Sequence, residues 1–110
     1  MANRYISGCY VIDTTDTQIG GPNATGGVKG NLYIRAIKWV ATNARAIADA
    51  HKLTIKWKDS NGDIVIACDA QLAALTGSVV YSVEFGGDPW IVPGLFIDDI
   101  DGGELTIFLA

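Results

Sequence analysis

Charged residues are scarce in this chain, and its few cationic residues are scattered. Aspartate, glutamate, lysine and arginine make up 18% of the 110 residues, and the net charge at pH 7 is −4. Proteins that bind nucleic acids normally cluster lysine and arginine and carry an excess of positive charge. We therefore expect no nucleic-acid partner.

The chain also lacks long apolar runs and has few cysteine and histidine residues. No apolar run reaches the roughly 18 residues that a membrane helix needs, and the first residues, MANRYISGCYVID, have no apolar segment long enough for a signal peptide. We expect synthesis in a cytoplasm and no membrane contact. Cys9 and Cys68 lie in apolar runs and are expected to be free thiols, with a disulfide as the alternative. With the single histidine, His51, they are too few for a four-ligand zinc site, and we expect no cofactor.

The clearest local structure is a hairpin predicted at Leu53–Ile66. In its sequence, LTIKWKDSNGDIVI, apolar and polar residues alternate over the first six positions, as in a strand with one buried face. An Asn-Gly pair then precedes a second apolar run, and this arrangement is a strong signal for a β-hairpin. We expect Leu53, Ile55 and Trp57 to lie in the core.

Turn signals and β-forming runs continue along the whole chain and predict one all-β domain, residues 1–110. Short helical turns are predicted at most at Asn43–Lys52 and Asp69–Ser78. About seven or eight strands with turn signals roughly every 8–12 residues indicate a β-sandwich or barrel. Besides the hairpin, strands are predicted at Arg4–Asp13, Thr17–Ile19, Asn31–Thr42, Val79–Phe85, Trp90–Val92, Leu95–Ile100 and Glu104–Ala110.

Two segments are unusual for connections in such a domain. Thr14–Gly30 is rich in glycine and long for a loop, so we interpret it as a loop or as an arm that orders on a neighbouring subunit. Asn31–Thr42 has apolar residues at both alternating sets of positions, which indicates a central strand with a covered outer face.

The densest acidic cluster comprises Asp98, Asp99, Asp101 and Glu104. Oxygen ligands of this kind could bind a calcium ion, but the Asp-Gly-Gly turn between two predicted strands explains the same residues, and the sequence does not decide between them. A small hydrolase would need these carboxylates or His51 in a pocket. No serine or cysteine lies in a nucleophile context, so we expect no enzyme.

The aromatic residues are another candidate for function. Trp39, Trp57 and Trp90 could form a platform for stacking sugars, as in a carbohydrate-binding module, although core packing explains Trp57. Trp90 differs because it follows Asp-Pro in a loop framed by glycine and proline, where a large ring needs cover. Either the chain's own core or a neighbouring chain could supply that cover.

From Asn31 onward, the order of patterns resembles small virion structural proteins of tailed bacteriophages. The matching elements are the long strand, the hairpin KDSNGDIVI, the strand VVYSVEF, the strand VPGLFIDDI and the final strand DGGELTIFLA. This resemblance implies a jelly-roll-like β-sandwich that forms a homo-oligomer, with a trimer preferred, on a major capsid protein or another virion protein.

The function that we expect from this resemblance is a non-enzymatic capsid cement or decoration protein, located in the virion. A tail or head-fibre component is the alternative within the same class, and a carbohydrate-binding module is the alternative from another class. The residues predicted to form the interface are Gly20, Gly21, Pro22, Tyr33, Trp90, Ile91 and Pro93.

Overall fold

The computed structural model describes residues 4–6, 8–13, 18–21, 30–42, 47, 51–58, 61–69 and 79–110. These ranges contain ten strands and no helix. The helical turns predicted at 43–52 and 69–78 lie almost wholly outside the described residues, as does most of the 14–30 segment. The strands are β1 (Arg4–Ile6), β2 (Cys9–Ile12), β3 (Gln18–Ile19), β4 (Leu32–Val40), β5 (Lys52–Trp57), β6 (Ile64–Asp69), β7 (Val79–Glu84), β8 (Trp90–Val92), β9 (Leu95–Ile100) and β10 (Glu104–Leu109).

The strands form two antiparallel sheets with the connectivity of a jelly roll. The larger sheet has the order β1-β2-β10-β4-β7, with β8 also paired to β4, and the smaller sheet has the order β3-β9-β5-β6. The pairs β2–β10, β3–β9, β4–β7 and β5–β6 are those of one long antiparallel hairpin rolled into two sheets. This pattern defines a jelly roll, and the predicted all-β fold is confirmed.

Two strands, β1 and β8, do not belong to these four pairs, and both are short. β1 pairs with β2 through a turn that includes Gly8, whose φ is 83°. The sequence predicted one continuous strand over Arg4–Asp13, and this is wrong because the chain reverses at Gly8. β8 pairs with β4 beyond the end of β7, so β7 and β8 together follow the length of β4.

The core lies between the two sheets. Alternate residues of the paired strands point inward, and the largest fully buried side chain is Trp39, whose Nε1 donates a hydrogen bond of 2.8 Å to the carbonyl of Gly102. Leu53 and Ile55 are buried as predicted, whereas Trp57 is only half-buried. Other buried apolar residues are Ile12, Ile19, Leu32, Ile34, Ile37, Ile47, Val92, Leu95, Ile97, Ile100, Leu105 and Ile107.

The outer face of β4 is not covered as the sequence suggested. Ala36 and Ile34 pair with the adjacent residues Phe108 and Leu109 of β10, so Arg35 is an extra, bulged residue. A bulge changes which alternate residues face the core. Apolar residues from both alternating sets therefore face the core, one set toward the start of β4 and the other toward its end. Tyr33 and Arg35 are exposed.

A close approach between backbone and core holds the end of β3 in place. Gly20 is buried with φ of 70°, and a Cβ atom there would lie 2.6 Å from Cγ of Leu32. Only glycine combines this left-handed backbone with the lack of a side chain. Gly20 thus has a structural role in seating β3 against the larger sheet.

Candidate functional site

The first candidate surface is an apolar pair on the outer face of the larger sheet. The register of β4 and β8 makes Tyr33 and Ile91 direct cross-strand partners. Their exposed fractions are 51% and 53%, among the highest for large apolar side chains in the described chain. Residues paired in this way have Cβ atoms about 5 Å apart. We call Tyr33 and Ile91 the Tyr33–Ile91 patch.

Charged groups of both signs flank the Tyr33–Ile91 patch. Arg35 and Lys38 lie over the ring of Phe108, at 5.4 Å and 5.8 Å from its centroid. Such cation–π contacts hold long cationic side chains flat on the sheet. Arg35 and Glu84 also line a cleft of about 210 Å³ on this face. The patch is therefore apolar at its centre, with a cation and a carboxylate beside it.

The other predicted interface residues have different environments. Gly20 and Gly21 are buried within the chain, and Pro93 is half-buried in the turn before β9. Pro22 lies outside the described residues. The participation of these four in an interface stays a prediction, whereas Tyr33 and Ile91 are brought together at the surface.

Trp90 belongs to the second candidate surface, an aromatic groove. Its ring centroid is 5.4 Å from that of Phe85 and 6.2 Å from that of Trp57. The groove has a volume of about 170 Å³. Because it is lined from both sheets, it lies where the edge strand β6 meets β7 and β8. We call this cavity the aromatic groove; its lining residues are Val65, Ile66, Tyr81, Val83, Phe85 and Trp90.

The tryptophans do not form one flat, exposed platform. Trp39 is fully buried in the core. Trp57 and Trp90 are half-buried, and their rings are inclined by 47° to each other. Sugar stacking on a shared tryptophan plane therefore has little geometric support, and the rings serve chiefly to close one side of the sandwich.

The acidic cluster contains a pair of carboxyl groups that share a hydrogen bond. Burial, together with the hydrogen bond to Asp101 and the charge of Asp101, raises the pKa of Asp99 to about 6. The hydrogen bond from Asp99 and another from the backbone N–H of Lys52, at 2.9 Å, lower the pKa of Asp101, and positive charge on His51 acts in the same direction. The Asp101 N–H also donates to the Lys52 carbonyl at 3.0 Å, so this residue ties the end of β9 to the start of β5.

Asp98 and Glu104 take no part in the hydrogen bond of this pair, although the charge of Asp98 also raises the pKa of Asp99. Oδ1 of Asp98 lies 3.6 Å from Nζ of Lys56 in a partly exposed ion pair, and Glu104 is half-buried at the start of β10. Within the described ranges, no group of three or more histidine, cysteine, aspartate or glutamate side chains is placed to hold a metal ion.

Several surface residues were missed by sequence reasoning. Val65 and Phe85 line the aromatic groove, and Phe108 lies under the cations of the outer face. Phe108 carried a usable signal, because in ELTIFLA it falls on the set of alternating positions opposite to Leu105 and Ile107. No local sequence pattern indicates that β6 lies next to β7 and β8, since this contact depends on how the two sheets stack.

Comparisons with protein-family models, with curated proteins and with solved structures gave no significant match. The part of the chain that the structure describes includes no helix long and apolar enough to cross a membrane.

Proposed function

We propose that this chain is a non-enzymatic structural protein of a tailed-bacteriophage virion, of the capsid cement or decoration type. In this proposal it is made in the host cytoplasm and binds the major capsid protein as a homo-oligomer, preferably a trimer. The observation that carries the proposal is the Tyr33–Ile91 patch on a jelly-roll sheet. A tail or head-fibre component is the alternative within the class.

The composition of the patch supports association between protein surfaces. The centres of interfaces are enriched in tyrosine and arginine and depleted in other charged residues. The Tyr33–Ile91 patch joins a tyrosine to a branched aliphatic residue, and Arg35 is the next exposed residue of β4 after Tyr33. Arg35 and Glu84 give an approaching protein one charge of each sign to pair with, which favours one orientation over others.

The mechanism of a cement protein is burial of surface between neighbouring shell subunits. Each apolar square ångström removed from water contributes about 25 cal/mol before the costs of association. Because a partner that binds only the assembled shell shifts the equilibrium toward that shell, the protein would stabilise a capsid without any chemical step.

The experiment measures self-association and capsid binding of the full chain. We expect sedimentation velocity to show a homo-oligomer for the wild type, and Ile91→Lys to weaken self-association by about tenfold or more, which is roughly 1.4 kcal/mol. Ile64→Lys is the matched control, because Ile64 is 58% exposed but lies on the smaller sheet. It should associate as the wild type does.

Binding to the shell is measured by cosedimentation with capsids that lack the protein. The wild type should sediment with them and raise their melting temperature, while Ile91→Lys should do so less. A wild-type protein that stays monomeric and leaves the capsids unbound would contradict the proposal. Quenching of tryptophan emission by oligosaccharides, together with monomeric behaviour, would favour the carbohydrate-binding alternative.

A further inference from the structure

The outer face of the larger sheet has unlike side chains on the two sides of one line, which runs between β4 and the successive strands β7 and β8. On the β4 side Tyr33 and Arg35 are exposed, and on the other side Ile91 and Glu84 are exposed. Tyr33 pairs directly with Ile91, and Glu84 pairs with the residue that follows Arg35. A tyrosine therefore lies across the line from an aliphatic residue, and a cation lies across it from a carboxylate.

Arg35 and Glu84 do not neutralise each other within the chain. They line the same cleft of about 210 Å³, but in the described ranges neither takes part in an ion pair. The guanidinium group of Arg35 lies instead over the ring of Phe108, 5.4 Å from its centroid. Both charges are thus available to a second molecule, and a pair of opposite charges interacts more strongly in an interface than in open water.

A surface of this kind is complementary to itself about a two-fold axis. If the axis lies in the plane of the interface, along the line between β4 and β7–β8, then β4 of one copy faces β7 and β8 of the other. Tyr33 of each copy then faces Ile91 of the other, and Arg35 of each copy faces Glu84 of the other. A contact in which the same two groups meet twice is the rule for two-fold dimers. Sheets that pack face to face with aligned strands keep them within about 30° of each other, so the match holds around the centre of the contact.

The other charged side chains of this face are compatible with the same arrangement. Lys38 pairs with Ser82 across the line, so the lysine of one copy faces the serine of the other. Asp88 is exposed in the turn between β7 and β8 and adds to the carboxylate side of the line. Glu104 is on β10, which lies on the far side of β4 from the line, so it is displaced from the contact. Among the described charged side chains of this face, none is brought directly opposite one of the same sign.

We propose that two copies of this chain pair through the outer faces of their larger sheets about this two-fold axis, with Tyr33 against Ile91 and Arg35 against Glu84, each contact made twice. The proposal names a second copy as the partner of the Tyr33–Ile91 patch, and it rests on the self-association in the function proposed above. Because a two-fold contact closes with two copies, the trimer preferred above would need two further, unlike surfaces on each copy.

The test reverses the two charges in the full chain and measures self-association by sedimentation velocity. Arg35→Glu and Glu84→Arg should each weaken the wild-type dimer by about tenfold or more, because each variant places like charges opposite each other twice. An equimolar mixture of the two variants should associate within about threefold of the wild type, since each such contact in the mixed pair again joins a cation to a carboxylate. Native mass spectrometry distinguishes the mixed pair by its mass.

Lys38→Glu is the matched control, because it makes the same change of charge as Arg35→Glu on the same face of β4. Its mixture with Glu84→Arg should not restore association, since Lys38 faces Ser82 and the cation introduced at position 84 still faces Arg35. Circular dichroism confirms that the variants are folded.

The proposal is overturned if the mixture of Arg35→Glu with Glu84→Arg associates no better than either variant alone, if the control mixture is restored equally, or if the wild type is monomeric. A wild-type trimer that the charge reversals leave unchanged would overturn the two-fold pairing and leave the function proposed above standing. Failure of a dimeric wild type to bind capsids would overturn that function and leave the pairing standing.

Discussion

Replacing Asp99 by asparagine tests the account of the acidic cluster directly. The carboxyl group of Asp99 faces that of Asp101, and its pKa of about 6 in the folded chain compares with 3.8 for an ordinary aspartate. The folded state therefore holds this proton more tightly than the unfolded state does. Stability from this group is fully present below pH 3.8 and is lost as the pH rises toward 6, where two like charges come to face each other.

The lowered pKa of Asp101 has the opposite sign. Its contribution is present above the ordinary aspartate value and is lost as the pH falls below it. Because the two effects have opposite signs, the pair contributes most to the stability of the folded chain near pH 4, where the two carboxyl groups share one proton. Between pH 4 and pH 6, each pH unit lowers the free energy of unfolding by at most about 1.4 kcal/mol. We expect about 1 kcal/mol in total, because the partly exposed carboxyl groups are screened by solvent.

An asparagine amide can donate to Asp101 at every pH and cannot ionise. We therefore expect Asp99→Asn to unfold with the same free energy as the wild type near pH 4 and to be about 1 kcal/mol more stable at pH 7. Urea denaturation at a series of pH values measures this difference. Asp88→Asn is the control, because Asp88 is exposed in the turn before β8 and is not among the groups that shift the pKa of Asp99 or Asp101. Parallel profiles for the wild type and Asp99→Asn, or a less stable variant at pH 7, would refute the reasoning.

Two further predictions concern the core. Gly20→Ala should lower the free energy of unfolding by about 2–4 kcal/mol, because its Cβ would displace Leu32 and its backbone is left-handed. Gly87→Ala, with no atom near its Cβ position, should change the free energy by less than about 0.5 kcal/mol, and equal urea midpoints for the two variants would show that Gly20 is not packed as described. Trp39→Phe should cost about 2–4 kcal/mol in the same assay, because a cavity forms and the buried carbonyl of Gly102 loses its donor. A loss below about 1 kcal/mol would mean that this hydrogen bond contributes little.

The parts of the fold that depend on neighbouring residues could be predicted from the sequence. The hairpin β5–β6 follows from the alternation and from the turn-forming residues between its strands, and the burial of Leu53 and Ile55 follows from the same pattern. The left-handed residue described in this turn is Lys58, with φ of 71°, and not the Asn-Gly pair. The bulge at Arg35 could not be predicted in this way, since apolar residues at both sets of positions have the same sequence pattern in a covered strand and in a bulged one. Only the pairing with β10 distinguishes the two.

The candidate surfaces depend even more on contacts between strands that are far apart in the sequence. Tyr33 and Ile91 were each predicted at an interface, but their contact results from the register of β4 with β8. The aromatic groove joins Val65 of one sheet to Phe85 of the other, and no local pattern contains that relation. Sequence reasoning thus identified exposed apolar residues and missed the cavity, because a cavity is a property of how two sheets stack.

The position of β10 has a consequence for how the chain acquires its fold. This strand is the last of the ten in sequence, yet it lies in the middle of the larger sheet, between β2 and β4. During synthesis on the ribosome, β2 and β4 therefore have no shared neighbour until β10 has emerged. Pairings between residues as distant as Cys9 and Phe108 make folding slow. Until β10 has emerged, the edges of β2 and β4 that face it are open to pairing with other chains, although β2 can already pair with β1, and β4 with β7 and β8.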